Sequence, residues 1–124
     1  MMPQRLTVLG RLPGLNEIIA ASKTHYQVYA KEKKVLTHKV ESLARAARLR
    51  TISSRCAVRF LWYEANRRRD QDNICAGQKF ILDGLVAAGV LPDDGWQWIS
   101  GIEHRFSIDR DNPRVEIEII EEPT

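Results

Sequence analysis

The chain predicts one α/β (α+β) domain, a mixed β-sheet with helices packed on it in the order β-α-β-α-β-β. Two observations carry this. Apolar residues recur at helical spacing in two stretches and alternate with polar ones in four others, and two periodic element types in that order pack as layers. The chain has 124 residues, enough for one core that buries roughly two-thirds of the unfolded surface. Residues 1–124 are therefore expected to form a single domain.

Leu6, Val8 and Gly10 alternate with Arg5, Thr7 and Leu9 ahead of a Pro13-Gly14 turn, which predicts a short first strand. From about Thr24, a candidate N-cap, to Arg50, the residues Tyr29, Leu36, Val40, Leu43 and Ala47 fall at helical spacing. Lys31, Lys33, Lys34, Lys39, Arg45 and Arg48 lie mostly elsewhere around that helix, which is thus long, amphipathic and basic. Cys56, Val58, Phe60 and Trp62 alternate with Arg55, Ala57, Arg59 and Leu61, a strand with one strongly apolar face that runs into Arg67-Arg68-Arg69. After Asp72 or Asn73, either of which caps a helix, Ile74, Phe80, Ile81, Leu85 and Ala88 give a second helical pattern that Gly89 stops. Ile102, His104, Phe106 and Ile108 alternate, turn residues fill Asp109 to Pro113, and Val115, Ile117 and Ile119 alternate with Glu116 and Glu118, so a terminal hairpin is expected.

An apolar share of 44% with 28% charged residues suits a globular chain and not a disordered one. The only cysteines are Cys56 and Cys75, and Met1 to Leu9 holds no long apolar run, so a cytoplasmic protein with free thiols is expected. No stretch approaches the ~20 apolar residues of a membrane span. A Gly-rich phosphate loop is absent, which argues against a nucleotide cofactor. His25, His38 and His104 are scattered without zinc-site spacing and are read as structural or surface residues.

The net charge of +3 hides an asymmetry: residues 1–69 carry 15 basic against 4 acidic side chains, residues 70–124 carry 4 against 12. The basic part suits a polyanion, because neutralised phosphates release counterions; the acidic part suits a hard cation. Complementary surfaces of one domain explain the same numbers equally well.

The chemistry concentrates between Asp70 and Asp94. Asp70 and Asp72 are two apart after the central strand, so on extended backbone both carboxylates point to one side and can share a cation. Magnesium takes one or two carboxylates and leaves its other positions to water and phosphate, and a third carboxylate at Asp93-Asp94 would complete the set. Such an ion polarises a phosphodiester and acidifies an attacking water. Lys79, the only lysine after residue 39, is a candidate to stabilise developing charge. Spacing alone allows a plainer reading too: Asp72 as a cap, Asp93-Asp94 as turn residues, Lys79 and Asp83 as an i,i+4 surface pair. Trp62 is expected in the core, while Trp96 and Trp98 suit either a core, an interface or base stacking.

Arg67-Arg68-Arg69-Asp70-Gln71-Asp72-Asn73, Lys79-Phe80-Ile81-Leu82-Asp83-Gly84-Leu85 and Gly89-Val90-Leu91-Pro92-Asp93-Asp94 together resemble the RusA family of Holliday-junction resolvases. An R-D-x-D-N element, a K-x-x-x-D-x-L helix and a D-D pair stand in the family's order, and Leu12-Pro13-Gly14-Leu15-Asn16 resembles its early Pro-x-x-Asn turn. The resemblance covers most of the domain and is dense only over residues 67 to 94. It implies a magnesium-dependent endodeoxyribonuclease of recombination and repair, cellular or prophage, that works as a homodimer and nicks opposed strands of a four-way junction. Mn2+ is the expected substitute metal. Catalytic and metal roles fall on Asp70, Asp72 and Asp94, with Asp93 in reserve, and the catalytic lysine on Lys79; Arg67, Arg68, Arg69, Lys31, Lys33 and Lys34 are the expected DNA contacts. The family's compact pattern places the lysine four positions after the second aspartate, and here the interval is seven. On a continuous helix the change is about 60° in direction and roughly 4.5 Å in rise, which Gly77 can help absorb. A non-catalytic protein that binds branched DNA on the same fold is the alternative.

Overall fold

The computed structural model describes residues 3–24 and 26–123, with Thr24 and Tyr26 described by their backbone alone; His25 lies outside. Eight elements follow in order: β1 (Gln4–Leu9), α1 (Leu15–Thr24), α2 (Tyr26–Ala46), β2 (Cys56–Glu64), α3 (Gln71–Cys75), α4 (Gln78–Ala87), β3 (Ile99–Ile108) and β4 (Arg114–Glu121). The strands form one mixed sheet in the order β1-β4-β2-β3. β4 runs antiparallel to both β1 and β2, and β3 runs parallel to β2. The α/β class and the alternation of strands with helical segments are as the sequence predicts.

The expected terminal hairpin does not form, because β2 lies between β3 and β4. Residues 109 to 113 cross the end of β2, where the Asp109 N–H donates to the Glu64 carbonyl at 2.8 Å. Alternation fixes which side chains share a face and says nothing about neighbours. Burial separates the strands: Val115, Ile117 and Ile119 are fully buried and take the centre, whereas Ile102, Phe106 and Ile108 stay exposed at an edge.

Leu6 and Val8 of β1, Val58, Phe60 and Trp62 of β2, and Val115, Ile117 and Ile119 of β4 share one core with Val40 and Ala44 of α2 and Ile81 and Leu85 of α4. The helices thus cover one face of the sheet. The other face carries alternating charge: Arg5 pairs with Glu118, Glu118 with Arg59, and Arg59 with Glu103, one step per strand from β1 to β3.

Both predicted helices are subdivided. The long basic helix is α2; a separate α1 precedes it, so that Thr24, the expected N-cap, is instead the last residue of α1, and α2 ends four residues short of Arg50. Its end is closed by Arg48 at φ 56° and by the Leu49 N–H bonding the Ala44 carbonyl at 3.2 Å, a left-handed terminus that usually takes glycine. The second helix breaks into α3 and α4 at Ala76-Gly77. There the backbone runs so close to the core that a Cβ on Gly77 would lie 3.1 Å from the Trp62 ring and 3.2 Å from Leu12. Gly89, at φ +77°, follows the last turn of α4 and stops it as expected.

Gly84 sets the approach of α4 to α2, since a Cβ there would meet Val40 at 2.5 Å and the Thr37 carbonyl oxygen at 3.0 Å. Intrinsic propensity favours alanine over glycine in a helix by about 1 kcal/mol. Overpacking opposes it by about 1–3 kcal/mol. Gly84→Ala is therefore expected to lower the urea midpoint, and a raised midpoint would show that the two helices part without cost.

Candidate nucleic-acid and metal site

β2 ends at Glu64, and residues 65 to 70 form an irregular bend before α3. Asp70 occupies the N-cap position of α3 with extended backbone (φ −72°, ψ 157°) and makes no side-chain capping bond. Asp72 lies in the first helical turn, where its Oδ1 accepts the Asn73 N–H at 2.9 Å. The capping position thus belongs to Asp70 and not to Asp72 or Asn73, and the two carboxylates do not leave one extended strand on a common side. Both are exposed.

The physical reason is Arg69. Its Nε and Nη2 donate to both oxygens of Glu64 at 2.9–3.0 Å, and its Nη1 donates to the Leu12 carbonyl at 2.9 Å. Each of these two side chains is only 12% exposed. The pair folds the chain back over the end of β2 and ends the strand. Arg69 is consequently engaged inside the protein, whereas Arg67 and Arg68 are exposed. Arg67, Arg69, Asp70, Glu64, Phe106 and Ile108 line an open cavity of about 600 Å3. Of the α2 lysines, Lys31 and Lys34 are exposed, and Lys33 reaches toward Asp83 at 3.8 Å.

Asn73 joins two sequence features that are 57 positions apart: its Oδ1 accepts the Asn16 N–H at 2.9 Å. Gly14 permits this, since a Cβ there would stand 2.5 Å from the same oxygen. The Pro13-Gly14-Leu15-Asn16 turn and the Asp70–Asn73 element therefore form one local unit.

Lys79, in the first turn of α4, places its Nζ 3.0 Å from Asp83 Oδ1 and 3.8 Å from Asp94 Oδ2. The hydrogen bond to Asp83, followed by the charges of Asp83 and Asp94, raises the lysine pKa and keeps it cationic. Asp94 lies beside Trp96, Ile99 and Ile102 at the start of β3, and Asp70 lies beside Phe106 and Ile108 at its end. From Ile102 to Phe106 a strand advances about 13 Å. Asp94 and Lys79 thus converge, Asp70 and Asp72 belong to α3, and the two groups stand apart; Asp93 is exposed in the same loop as Asp94. Among the described residues, no group of three or more His, Cys, Asp or Glu side chains is disposed to hold a metal ion. The donor chemistry suits magnesium, and no three of these carboxylates come together in this arrangement.

The structure settles two residues that the sequence left open or read only as structural. Trp96 is 91% exposed, next to Asp94 and Gly95, while Trp62 is buried and Trp98 packs against the core. His104 joins three elements: the Trp62 indole N–H donates to its Nδ1 at 2.9 Å, and its Nε2 meets Gln78 Oε1 at 3.0 Å. With Nδ1 accepting, Nε2 carries the proton and donates, which specifies a neutral ring. Phe60 and Phe106 stack on that ring at 5.1 and 6.3 Å. Alternation with Ile102 and Phe106 already assigned it to their face of the strand, and the β2–β3 register sets it opposite Phe60.

No protein-family model and no curated protein matches the chain.

Removing the Arg69 guanidinium leaves the Glu64 carboxylate largely buried without its partner, so Arg69→Ala is expected to cost roughly 3 kcal/mol of stability. A loss below about 1 kcal/mol in urea unfolding, typical of an exposed pair, would refute the structural role. Burial pushes the His104 pKa below its ordinary value of 6.5. The unfolded chain then takes up this proton at a higher pH than the folded one, so stability is full above about 6.5 and falls as the pH drops below it. Urea midpoints at pH 7.5 and 5.5 should differ in that sense, and His104→Gln should flatten the difference.

Proposed function

We propose that the chain is a magnesium-dependent endodeoxyribonuclease that nicks four-way junctions or related branched DNA, acting as a homodimer and belonging to the RusA type. The observation that carries this reading is the ordered set of R-D-x-D-N, K-x-x-x-D-x-L and D-D elements. Two contacts between its parts add support: the Lys79 ammonium beside Asp94, and Asn73 bonded to the early turn. A motif set that only decorated a surface would have no reason to meet in space.

The protein's own cations take definite roles in this reading. Arg67, Arg68, Lys31 and Lys34 are exposed and suited to phosphate contacts that position DNA without reading bases. Lys79, held cationic, suits charge that develops on a phosphoryl oxygen. The residues proposed to hold magnesium, or Mn2+ in its place, are Asp70, Asp72 and Asp94, with Asp93 as substitute. They stand apart here, so the cations are the groups ready to meet a phosphate.

A second reading, a non-catalytic protein that binds branched DNA, is favoured by that same separation and by the engagement of Asp94 with Lys79. Incubation of a synthetic four-way junction with magnesium, with manganese and with chelator separates the two. The nuclease reading expects metal-stimulated nicks that Asp70→Asn reduces roughly 100-fold or more, with junction binding retained. Equal cutting by the variant would remove Asp70 from the mechanism, and tight binding without product in either metal would favour the second reading.

A further inference from the structure

Trp96 is the most exposed large apolar side chain of the described residues, at 91%, and the backbone imposes that exposure. Residues 95 to 98 make one helical turn, in which the Gly95 carbonyl accepts the Trp98 N–H at 3.1 Å and the Ile99 N–H at 3.0 Å. Trp98 packs against the core, and its carbonyl accepts the Cys56 N–H at 2.9 Å where β2 begins. Ile99, next along, is buried. Side chains two apart on a helical turn diverge by about 200°. Anchoring Trp98 inward therefore turns Trp96 to water, and a tethered turn keeps it there.

The surroundings of the ring narrow what it can meet. Trp96 forms one wall of an open cavity of about 380 Å3 that Asp94, Ser100 and Ile102 also line, and Gly95 and Gly101 put no side chain into it. The charge at one corner, Asp94, is offset by the Lys79 ammonium at 3.8 Å, so the cavity offers a flat face more than a field. A covered indole buries about 150–250 Å2, whereas a stable protein partner needs about 800 Å2 on each side. The ring and the half-exposed Ile102 beside it fall well short of the second figure. They match a single planar ligand.

We propose that Trp96 is a stacking platform for one unpaired nucleobase. Every base has a π-face that stacks on an aromatic ring, and in continuous duplex those faces are already taken by neighbouring bases. The platform thus gives the chain a preference for DNA whose bases are unpaired, as at a branch point, without hydrogen bonds that read sequence. Trp96 follows Asp94 by two positions, at most about 7 Å along the chain, so a base held on the indole lies beside the Lys79–Asp94 pair. The proposal rests on the nucleic-acid part of the function proposed above, and it holds for a nuclease or for a binding protein.

The test uses the full chain in chelator, so that nothing is cut, with a single thymidine strand of about 12 nucleotides and a continuous duplex as probes. Trp62 is buried and Trp98 partly so, and the solvent-exposed part of the tryptophan emission is therefore expected to come from Trp96 and to be quenched by the strand. Trp96→Ala should lose that quench and weaken strand binding at least about fivefold, while duplex binding, which uses phosphate contacts, stays unchanged. Trp96→Phe should restore most of the strand affinity. The urea midpoint of Trp96→Ala should equal that of the parent chain, since the ring touches little. A quench that persists in Trp96→Ala, equal loss of strand and duplex binding, or a Trp96→Ala chain whose mass in light scattering falls from two copies to one would each overturn the proposal. Strand quenching without metal-stimulated nicking of a junction would leave the platform and remove the nuclease, whereas metal-stimulated nicking by a chain whose strand affinity ignores Trp96→Ala would do the reverse.

Discussion

Burial of the single apolar row of β2 is the constraint on which the rest of this structure depends. Cys56, Val58, Phe60 and Trp62 all point to the helix layer and are fully or nearly buried. The flanking strands take their register from them: Val58 opposes Ile119 on one side and Ile102 on the other. Trp62 at the end of that row sets local detail as well. Its ring lies against the position of Gly77, where the second helical stretch breaks, and its N–H fixes the tautomer of His104. A smaller side chain there would remove the reason for both features.

Where β2 ends, hydrophobic packing gives way to a charge pair. Glu64 continues the buried row as a carboxylate, and a buried carboxylate is tolerable only with a partner. Arg69 supplies it from five residues on, and the chain must bend between them. This places Asp70 at the start of α3, on the rim of a cavity that also exposes Arg67 to solvent. The acidic and basic residues of the region owe their arrangement to this bend and not to the strand itself. The same bend explains why three consecutive arginines differ in role: two face water, and one neutralises the interior.

The charge asymmetry along the sequence divides, in space, into two systems. One crosses the open face of the sheet, where Arg5, Glu118, Arg59 and Glu103 alternate. The other gathers at the helices, where Lys33 and Lys79 both reach Asp83, and Lys79 also reaches Asp94. Much of the excess charge of each part of the chain is thereby matched within the fold. Arg67, Arg68, Lys31 and Lys34, exposed and in no ion pair among the described residues, belong to the charge left available to a polyanion.

The sequence by itself determined the periodicities, and with them the α/β class, the core faces of β1, β2 and β4, the stop at Gly89 and the burial of Trp62. These follow from local geometry, in which a period of two or of 3.6 assigns a side chain to a face. Only the tertiary structure decided strand neighbours, so the expected hairpin gave way to a β2 inserted between β3 and β4. Gly77 stood out in the sequence as a point that could absorb the longer interval, but the close approach of Trp62 and Leu12 that requires it did not, and the cap at Asp70 was likewise invisible, because each depends on a residue far along the chain or on a buried partner. For the candidate site, the residues were legible as types and spacing, but their separation was not. Lys79 meets Asp94 because α4 and the following loop fold together, while Asp70 is carried to the other end of β3 by a salt bridge that no periodicity announces.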